Sequence, residues 1–479
     1  MSSGSDSLEV HELLSNLPKK KTRLNLKNIV ISEIVAAELV QALGDPQKNV
    51  KTLILSNNSI ETECTFLQII LETNRTLITL VLSDNNIQNV GVKLIAKALL
   101  TNKTLESLDL SKNDITDDGA TSLANCLERN KTLKKLVLSD NGIDNLGAAL
   151  FATALKTNST LETLVLANNR IENKGVIALA KSLKTNTVLE TLDLSYNYFG
   201  DEAAVELSVS LQKNNTLKSL NLSTSRHHHM FITVAGAVAL SQALLKNNTL
   251  EKLAIKGNMI GKDGARVLAT RILENKDSSL STLDLSNNDI SSEGAVYLAV
   301  MLNNNKSLQI LYLSHNDIGD VGAIRLADSL LRNDKLTYLD LRSNSITLDS
   351  SRALWDCIHQ NEFLKIDLNP EFDEALEMYR EKQTSQLTRG LVNLSANLEN
   401  RNRSGVESLY KQAPTDVLRY TLGFLEPVAK FESKTKTKKN KSKSKSKSKS
   451  KSKSKSKSKT KSKSKTKTKK SSFPTINCV

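Results

Sequence analysis

One phrase of 28 residues returns along most of this chain, and it restricts the fold more than any other feature. It reads Leu-x-x-Leu-x-Leu-Ser-x-Asn-x-Ile, followed by an Ala/Leu-rich stretch opened by Gly-Ala. The copy from Leu105 is LESLDLSKNDITDDGATSLANCLERNKT, and the phrase begins again at Leu133, Leu161, Leu189 and Leu217. A unit of this length holds one strand and one helix, and neither buries its apolar side alone. Stacked copies share a continuous core, so the expected fold is an α/β solenoid with a parallel concave sheet and convex helices. Such a molecule offers a long binding face rather than an enclosed pocket.

Eleven full copies start at Val50, Leu77, Leu105, Leu133, Leu161, Leu189, Leu217, Leu250, Leu280, Leu308 and Leu336. A degenerate copy precedes them, with Leu24 and Leu26 in the strand and Ile29 where Asn is expected. A fragment, LKIDLNP from Leu364, follows and is closed by Pro370. Terminal repeats are commonly atypical because their outer faces meet water or a cap.

Within the copy at Leu105, Leu108 and Leu110 alternate with Ser107, Asp109 and Ser111, so the leucines share one side of a strand. Asn113 stands where the strand turns away, and its amide suits bonds to its own turn and to the neighbouring coil. Thr116 or Asp117 is the expected helix N-cap. Ala120, Leu123, Ala124 and Leu127 give the apolar stripe of an amphipathic helix. Asn130 is expected to end that helix in the left-handed conformation. The turn asparagine recurs as Asn58, Asn85, Asn113, Asn141, Asn169, Asn197, Asn258, Asn288, Asn316 and Asn344. The exception, Ser225, directly precedes an insertion, RHHHM at 226–230, read as a bulge from the rim with Phe231 and Ile232 resuming the pattern.

Over residues 21–370 this pattern resembles the ribonuclease-inhibitor class of leucine-rich repeats. That class also includes the repeat domains of NOD-like receptors and the Ran GTPase-activating proteins. The resemblance implies a horseshoe that binds a protein partner on its concave face, without enzymatic activity of its own. It leaves two alternatives open, a GTPase-activating accessory and an immune sensor, regulator or effector. The Ran-directed proteins typically carry an acidic tail where this chain has a basic one, and none of their functional residues is carried over to a position here. True ribonuclease inhibitors are cysteine-rich, whereas this chain has four cysteines.

The net charge of +15 is unevenly placed. Residues 434–470 hold 20 lysines and no acid, mostly as Lys-Ser and Lys-Thr. Without them 46 basic residues face 51 acidic ones, a net charge of −5. A self-repelling segment without apolar residues is expected to be disordered. Lys441, Lys443, Lys445, Lys447, Lys449 and Lys451 are representative of its polyanion-binding charge. It lacks interleaved aromatics and arginines, so any contact with nucleic acid or anionic membrane should be nonspecific and salt-sensitive. An acidic protein partner, a nuclear address and a purely solubilising role fit the same composition.

The expected domain plan is an N-terminal segment (1–20, with a short helix over Leu8 to Leu17), the solenoid (21–370), a helical cap (371–430) and the basic tail (431–479). Trp355 supports a cap, since it takes the helix position of Ala124, Ala180, Ala269, Ala299 and Ala327. The absence of a leader-like or membrane-spanning apolar run suggests an intracellular protein, cytoplasmic or nuclear, and a monomer. Cys64, Cys126, Cys357 and Cys478 show no metal spacing. Sequons at Asn74, Asn102, Asn130, Asn158, Asn214, Asn247 and Asn305 share one repeat position, so structural phasing accounts for them.

Chemistry is sparse. His227, His228 and His229 lack a nearby fourth ligand, and the reading is a solvated loop. No phosphate-binding glycine loop, nucleophile elbow or metalloprotease motif is present, and no cofactor or metal is expected. Asp109, Asp193, Asp284 and Asp340 share one strand position and are read as a solvated acidic stripe. Most concave positions are small or polar. The last two full copies differ, carrying Ile310, Tyr312 and His315 on one strand and Tyr338, Asp340 and Arg342 on the next. These six are the candidate partner site, with Tyr196 and Tyr198 as an outlying contact. A second reading has Tyr312 and Tyr338 packing on each other to screen the C-terminal end.

Overall fold

The computed structural model describes residues 10–60, 64–225, 230–361 and 363–370, together with Ser385 and Arg389. The chain divides into two units, Met1–Arg380 and Glu381–Val479, and the first holds every element below. The three histidines at 227–229, nearly all of the expected cap at 371–430 and the lysine tail lie outside the described residues.

Strands and helices alternate throughout. Residues 10–15 form α1. Then come β1 (Arg23–Asn25), α2 (Glu33–Gly44), β2 (Thr52–Ile54), α3 (Thr65–Thr73), β3 (Thr79–Val81) and α4 (Gln88–Leu99). The middle of the unit runs β4 (Ser107–Asp109), α5 (Asp117–Leu127), β5 (Lys135–Val137), α6 (Asn145–Leu155), β6 (Thr163–Val165), α7 (Asn173–Leu183), β7 (Thr191–Asp193), α8 (Asp201–Leu211), β8 (Ser219–Asn221) and α9 (Val234–Leu244). It closes with β9 (Lys252–Ala254), α10 (Gly261–Glu274), β10 (Thr282–Asp284), α11 (Ser291–Asn304), β11 (Ile310–Tyr312), α12 (Gly319–Leu330), β12 (Tyr338–Asp340), α13 (Leu348–Gln360) and β13 (Lys365–Asp367). Among the described residues, the 13 strands form one parallel sheet in sequence order. Both degenerate ends therefore contribute strands, β1 and β13.

The register pairs identical repeat positions, such as Leu136 with Leu164 and Leu164 with Leu192. The leucine at the centre of each of strands β1 to β12 is buried, as is the Leu or Ile two residues on, while the strand residues flanking the centre face the open side; β13 has the half-buried Ile366 at its centre. Leu164 and Leu166 are both fully buried and Val165 is half-buried. Ile232 is fully buried, so the pattern resumes after the insertion as expected.

Two asparagine ladders lace the coils. In the expected one, Asn113 Nδ2 donates to the Leu82 carbonyl of the preceding coil (2.9 Å) and to the Ser111 carbonyl (2.9 Å). Its Oδ1 accepts from the N–H groups of Asn85 (3.1 Å) and Ile87 (3.2 Å). One buried amide thus satisfies backbone groups of two coils that water does not reach. The second ladder corrects the expectation for Asn130. The residue does not have a positive φ, and the α5 C-cap, Glu128, is right-handed. Instead the buried Asn130 side chain donates to the Leu99 carbonyl at the end of the previous helix (2.7 Å). It accepts from the N–H groups of Thr132 (2.9 Å) and Leu133 (2.8 Å). Asn186 and Asn333, which belong to no sequon, make the same bonds. The sequon pattern is a by-product of this ladder.

The helix N-termini give a third result. Thr116 is the N-cap residue of α5, but its side chain makes no capping bond. The cap comes from the coil before: Asn89 Oδ1 accepts from the Thr116 N–H (2.9 Å) and the Gly119 N–H (3.1 Å). Asp117 in turn caps α6 through Asp144 (2.9 Å) and Gly147 (3.0 Å). Asn145, Asn173, Asp201 and Asp320 serve α7, α8, α9 and α13 in the same way. In α9 the glycine two residues into the helix makes room, since a Cβ on Gly236 would stand 2.5 Å from Asp201 Oδ1.

Candidate functional site

The last two full copies place their distinctive side chains together. Ile310 lies beside Tyr338 and Tyr312 beside Asp340 in the β11–β12 register. The rings of Tyr312 and Tyr338 meet at 5.4 Å between centroids, tilted by 58°. Such a pairing is worth ~0.5–1.5 kcal/mol beyond the area it buries. The packing of these two rings on each other, read from the sequence as one alternative, is present in the geometry. Arg342 follows β12 by two residues, and its Nε (2.9 Å) and Nη2 (2.7 Å) embrace the two oxygens of Asp340. The Tyr338 hydroxyl donates to Asp367 Oδ2 (2.5 Å), and Lys365 pairs with Asp367 Oδ1 (2.8 Å) and lies over the Tyr338 ring.

Electrostatics follow from this pairing. Burial pushes the Asp340 carboxyl up, but the bonds and charge of Arg342, helped by Ser314, outweigh it and hold the group below its ordinary range. Arg342 is raised in turn by the same partner. Burial and the Asp367 bond raise the Tyr338 hydroxyl, and Asp367 is lowered by Lys365 and Tyr338. The site is a set of side chains held by one another's hydrogen bonds and charges.

Two expectations are corrected, for His315 and for the aspartates. His315 is not on the strand: it lies three residues beyond β11, exposed, with φ +58° in the left-handed turn. Tyr196 occupies the equivalent left-handed position (φ +56°) after β7, and it and Tyr198 are exposed. β7 is four strands from β11, ~19 Å at the usual spacing, so the pair stands apart from the patch. The aspartates are not a solvated stripe. Asp109 and Asp193 are half-buried and accept from the N–H and hydroxyl two residues on, Asp284 accepts from the Ser286 N–H, and Asp340 is buried.

Among the described residues there is no cluster of His, Cys, Asp or Glu able to hold a metal, and no helix long and apolar enough to cross a membrane. Burial pushes the thiols of Cys64, Cys126 and Cys357 up to about 12. An open depression of about 350 Å³ lies beside the strand starts, near Lys103, Glu106, Lys131, Lys134 and Glu162. Lys134 and Glu106 pair across it (3.0 Å).

A leucine-rich repeat family model matches residues 73–96, 101–124, 129–152, 157–180, 185–208, 246–269, 276–299, 304–327 and 332–350. The chain is a leucine-rich repeat protein. The nine matched repeats omit the copy at Leu217, whose turn has Ser225 in place of Asn. The structure nonetheless builds that repeat, with β8 and α9 in register. Its next coil adapts through Gly257, at φ +75°, where a Cβ would fall 1.9 Å from the Thr224 carbonyl oxygen. Among solved structures the repeat unit is similar to leiomodin-1 actin-binding site 2, at 22% identity and a TM-score of 0.25, over 37% of this chain and 87% of that one. No curated protein matches the chain.

Proposed function

We propose that this leucine-rich repeat protein is a non-enzymatic interaction scaffold of the ribonuclease-inhibitor class, and that the C-terminal third of its concave face docks a protein partner. The observation carrying this reading is the locked cluster of Ile310, Tyr312, Tyr338, Asp340 and Arg342 on adjacent strands, where strands β1 to β10 place no aromatic side chain. Tyrosine and arginine bring large area with a polar tip, and prior immobilisation lowers the entropy lost on binding. His315 borders the cluster from the turn, and Tyr196 and Tyr198 are outlying contacts. The lysines at 441, 443, 445, 447, 449 and 451 belong to a separate polyanion-contacting segment that acts through charge alone.

Tyr312 is the cleaner probe, because Tyr338 also holds Asp367. With the full chain as bait, Tyr312→Ala should weaken a captured partner by ~1–2 kcal/mol while the fold is retained, its unfolding midpoint falling only by the loss of the ring contact. If that variant binds like the parent while changes at Thr79 or Lys135 abolish recovery, the docking surface lies at the other end of the sheet.

A further inference from the structure

The same face also specifies the chemistry of what it binds. From β9 to β13 the open side of the sheet has a half-buried centre and cationic ends. Ile310, Tyr312 and Tyr338 form the floor. Lys252 and Lys256 are exposed at the β9 end. Lys252, Ala254 and Lys256 alternate along the chain and so share the open side. Arg342 and Lys365 stand at the other end, with side chains 52% and 70% exposed.

The three aspartates on strands β10, β12 and β13 are turned to internal work, while Glu251 before β9 and Asp317 in the turn after β11 are exposed. The Asp340 side chain is 3% exposed and lies beneath Arg342, which engages it through Nε and Nη2 and leaves the Nη1 edge free to donate. Asp367 is held by Tyr338 and Lys365, and Asp284 accepts from the Ser286 N–H. These three aspartates therefore lie low and cations stand out at both ends of an aromatic floor.

We infer that this face receives an extended acidic protein segment, with carboxylates at both ends and an apolar or aromatic centre, laid across strands β9 to β13. The inference rests on the docking reading above and adds the identity of the occupant. Four strand spacings span ~19 Å, which about six extended residues cover. The terminal carboxylates meet Lys252 and Lys256 at one end and Arg342 and Lys365 at the other, where a fixed guanidinium edge loses little entropy in forming a charged hydrogen bond. The central side chain packs on Tyr312 and Tyr338. A basic segment would first meet Arg342 and Lys365, whose side chains stand further into solvent than the carboxylates they pair with. The 20 tail lysines carry the same sign, so both parts of the chain select an acidic partner.

The test uses the full chain labelled with 3-fluorotyrosine, which reports from the face and not from 434–470, a stretch without tyrosine. The Tyr312 signal is assigned with Tyr312→Phe. The probes are a capped Glu-Glu-Leu-Phe-Glu-Glu peptide, its Lys-Lys-Leu-Phe-Lys-Lys counterpart, and hexauridylate. The acidic peptide should shift the Tyr312 signal saturably. Lys365→Gln, and separately Lys252→Gln with Lys256→Gln, should each weaken that response by about tenfold. Asp340→Asn combined with Arg342→Gln removes the pair without stranding a buried carboxylate, and should act likewise.

An equal shift from the lysine peptide or from hexauridylate overturns the inference, as does an acidic-peptide response that survives loss of the cations. If the acidic peptide leaves Tyr312 unmoved while Tyr312→Ala still lowers partner capture, the docking reading stands and only the acidic chemistry falls. If neither responds, both fall.

Discussion

The coils of α5 to α9 and those of α10 to α12 share one core and one pair of asparagine ladders, yet they begin their helices differently. In the first group the residue before the helix is an extended or near-extended N-cap (Thr116, Asp144, Glu172, Gly200, Thr233), and the preceding coil supplies the capping oxygen. In the second group the helix begins on a residue in the left-handed region, Gly261, Ser291 or Gly319, whose N–H donates to the Asn288, Asn316 or Asn344 carbonyl of the next coil. The cause is one residue in the coil before. Asn89, Asp117, Asn145, Asn173 and Asp201 present an acceptor, whereas Val234, Lys262 and Ser292 occupy that position ahead of α10, α11 and α12. Asp320 restores the acceptor, and α13 returns to an extended N-cap at Thr347. Each coil's lead-in is thus written partly in its neighbour's sequence.

The largest effect should be common to both regions. Leu166 and Leu313 are fully buried at equivalent positions, so Leu166→Ala and Leu313→Ala should each cost ~2–5 kcal/mol in a denaturant series. Leu166→Asp should cost more, since an unpaired carboxylate enters the core. Val165→Ala should cost far less, and equal midpoint shifts for Val165→Ala and Leu166→Ala would break the shared phasing.

The next effect should separate the regions. Asp201→Ala removes the acceptor from α9 and should cost ~0.5–2 kcal/mol, as for loss of a helix cap. Lys262→Ala, at the matching position before α11, should stay within about 0.5 kcal/mol. Comparable losses from the two substitutions in thermal unfolding would show that the cross-coil cap does not set the difference.

The smallest effect sharpens the comparison by pH. Burial pushes the Asp320 carboxyl up, but the bonds from Thr347 and Ser350 outweigh it, and the net shift is downward. A carboxyl depressed in the folded state contributes stability above its unfolded value of about 3.9 and loses it as pH falls through the lower folded value. Asn89, Asn145 and Asn173 show that an amide oxygen can make the same cap. Asp320→Asn should therefore match the parent near neutrality and lack this part of the acid-induced loss below about pH 4. Parallel pH profiles of the midpoint for the two proteins would remove the carboxylate's role.

By itself the sequence determined the solenoid, the phase of each strand, the buried leucines and the first asparagine ladder, because each repeats at fixed spacing and a one-residue slip would turn the apolar set outward. It also marked the unusual tyrosines and Arg342 near the C-terminal end. Only the tertiary structure decided what depends on a neighbour about 28 residues away. Asn130 looked like a helix terminator because its partner, the Leu99 carbonyl, is distant in sequence and adjacent in space. Thr116 looked like its own cap because Asn89 lies one coil earlier. Asp340 looked solvated until Arg342 and Ser314 were seen to enclose it. His315 looked like a strand residue until the left-handed turn carried it beyond β11. Periodicity fixes which face a residue takes, while hydrogen-bond partners across coils follow from stacking, which brings together residues that no local window contains.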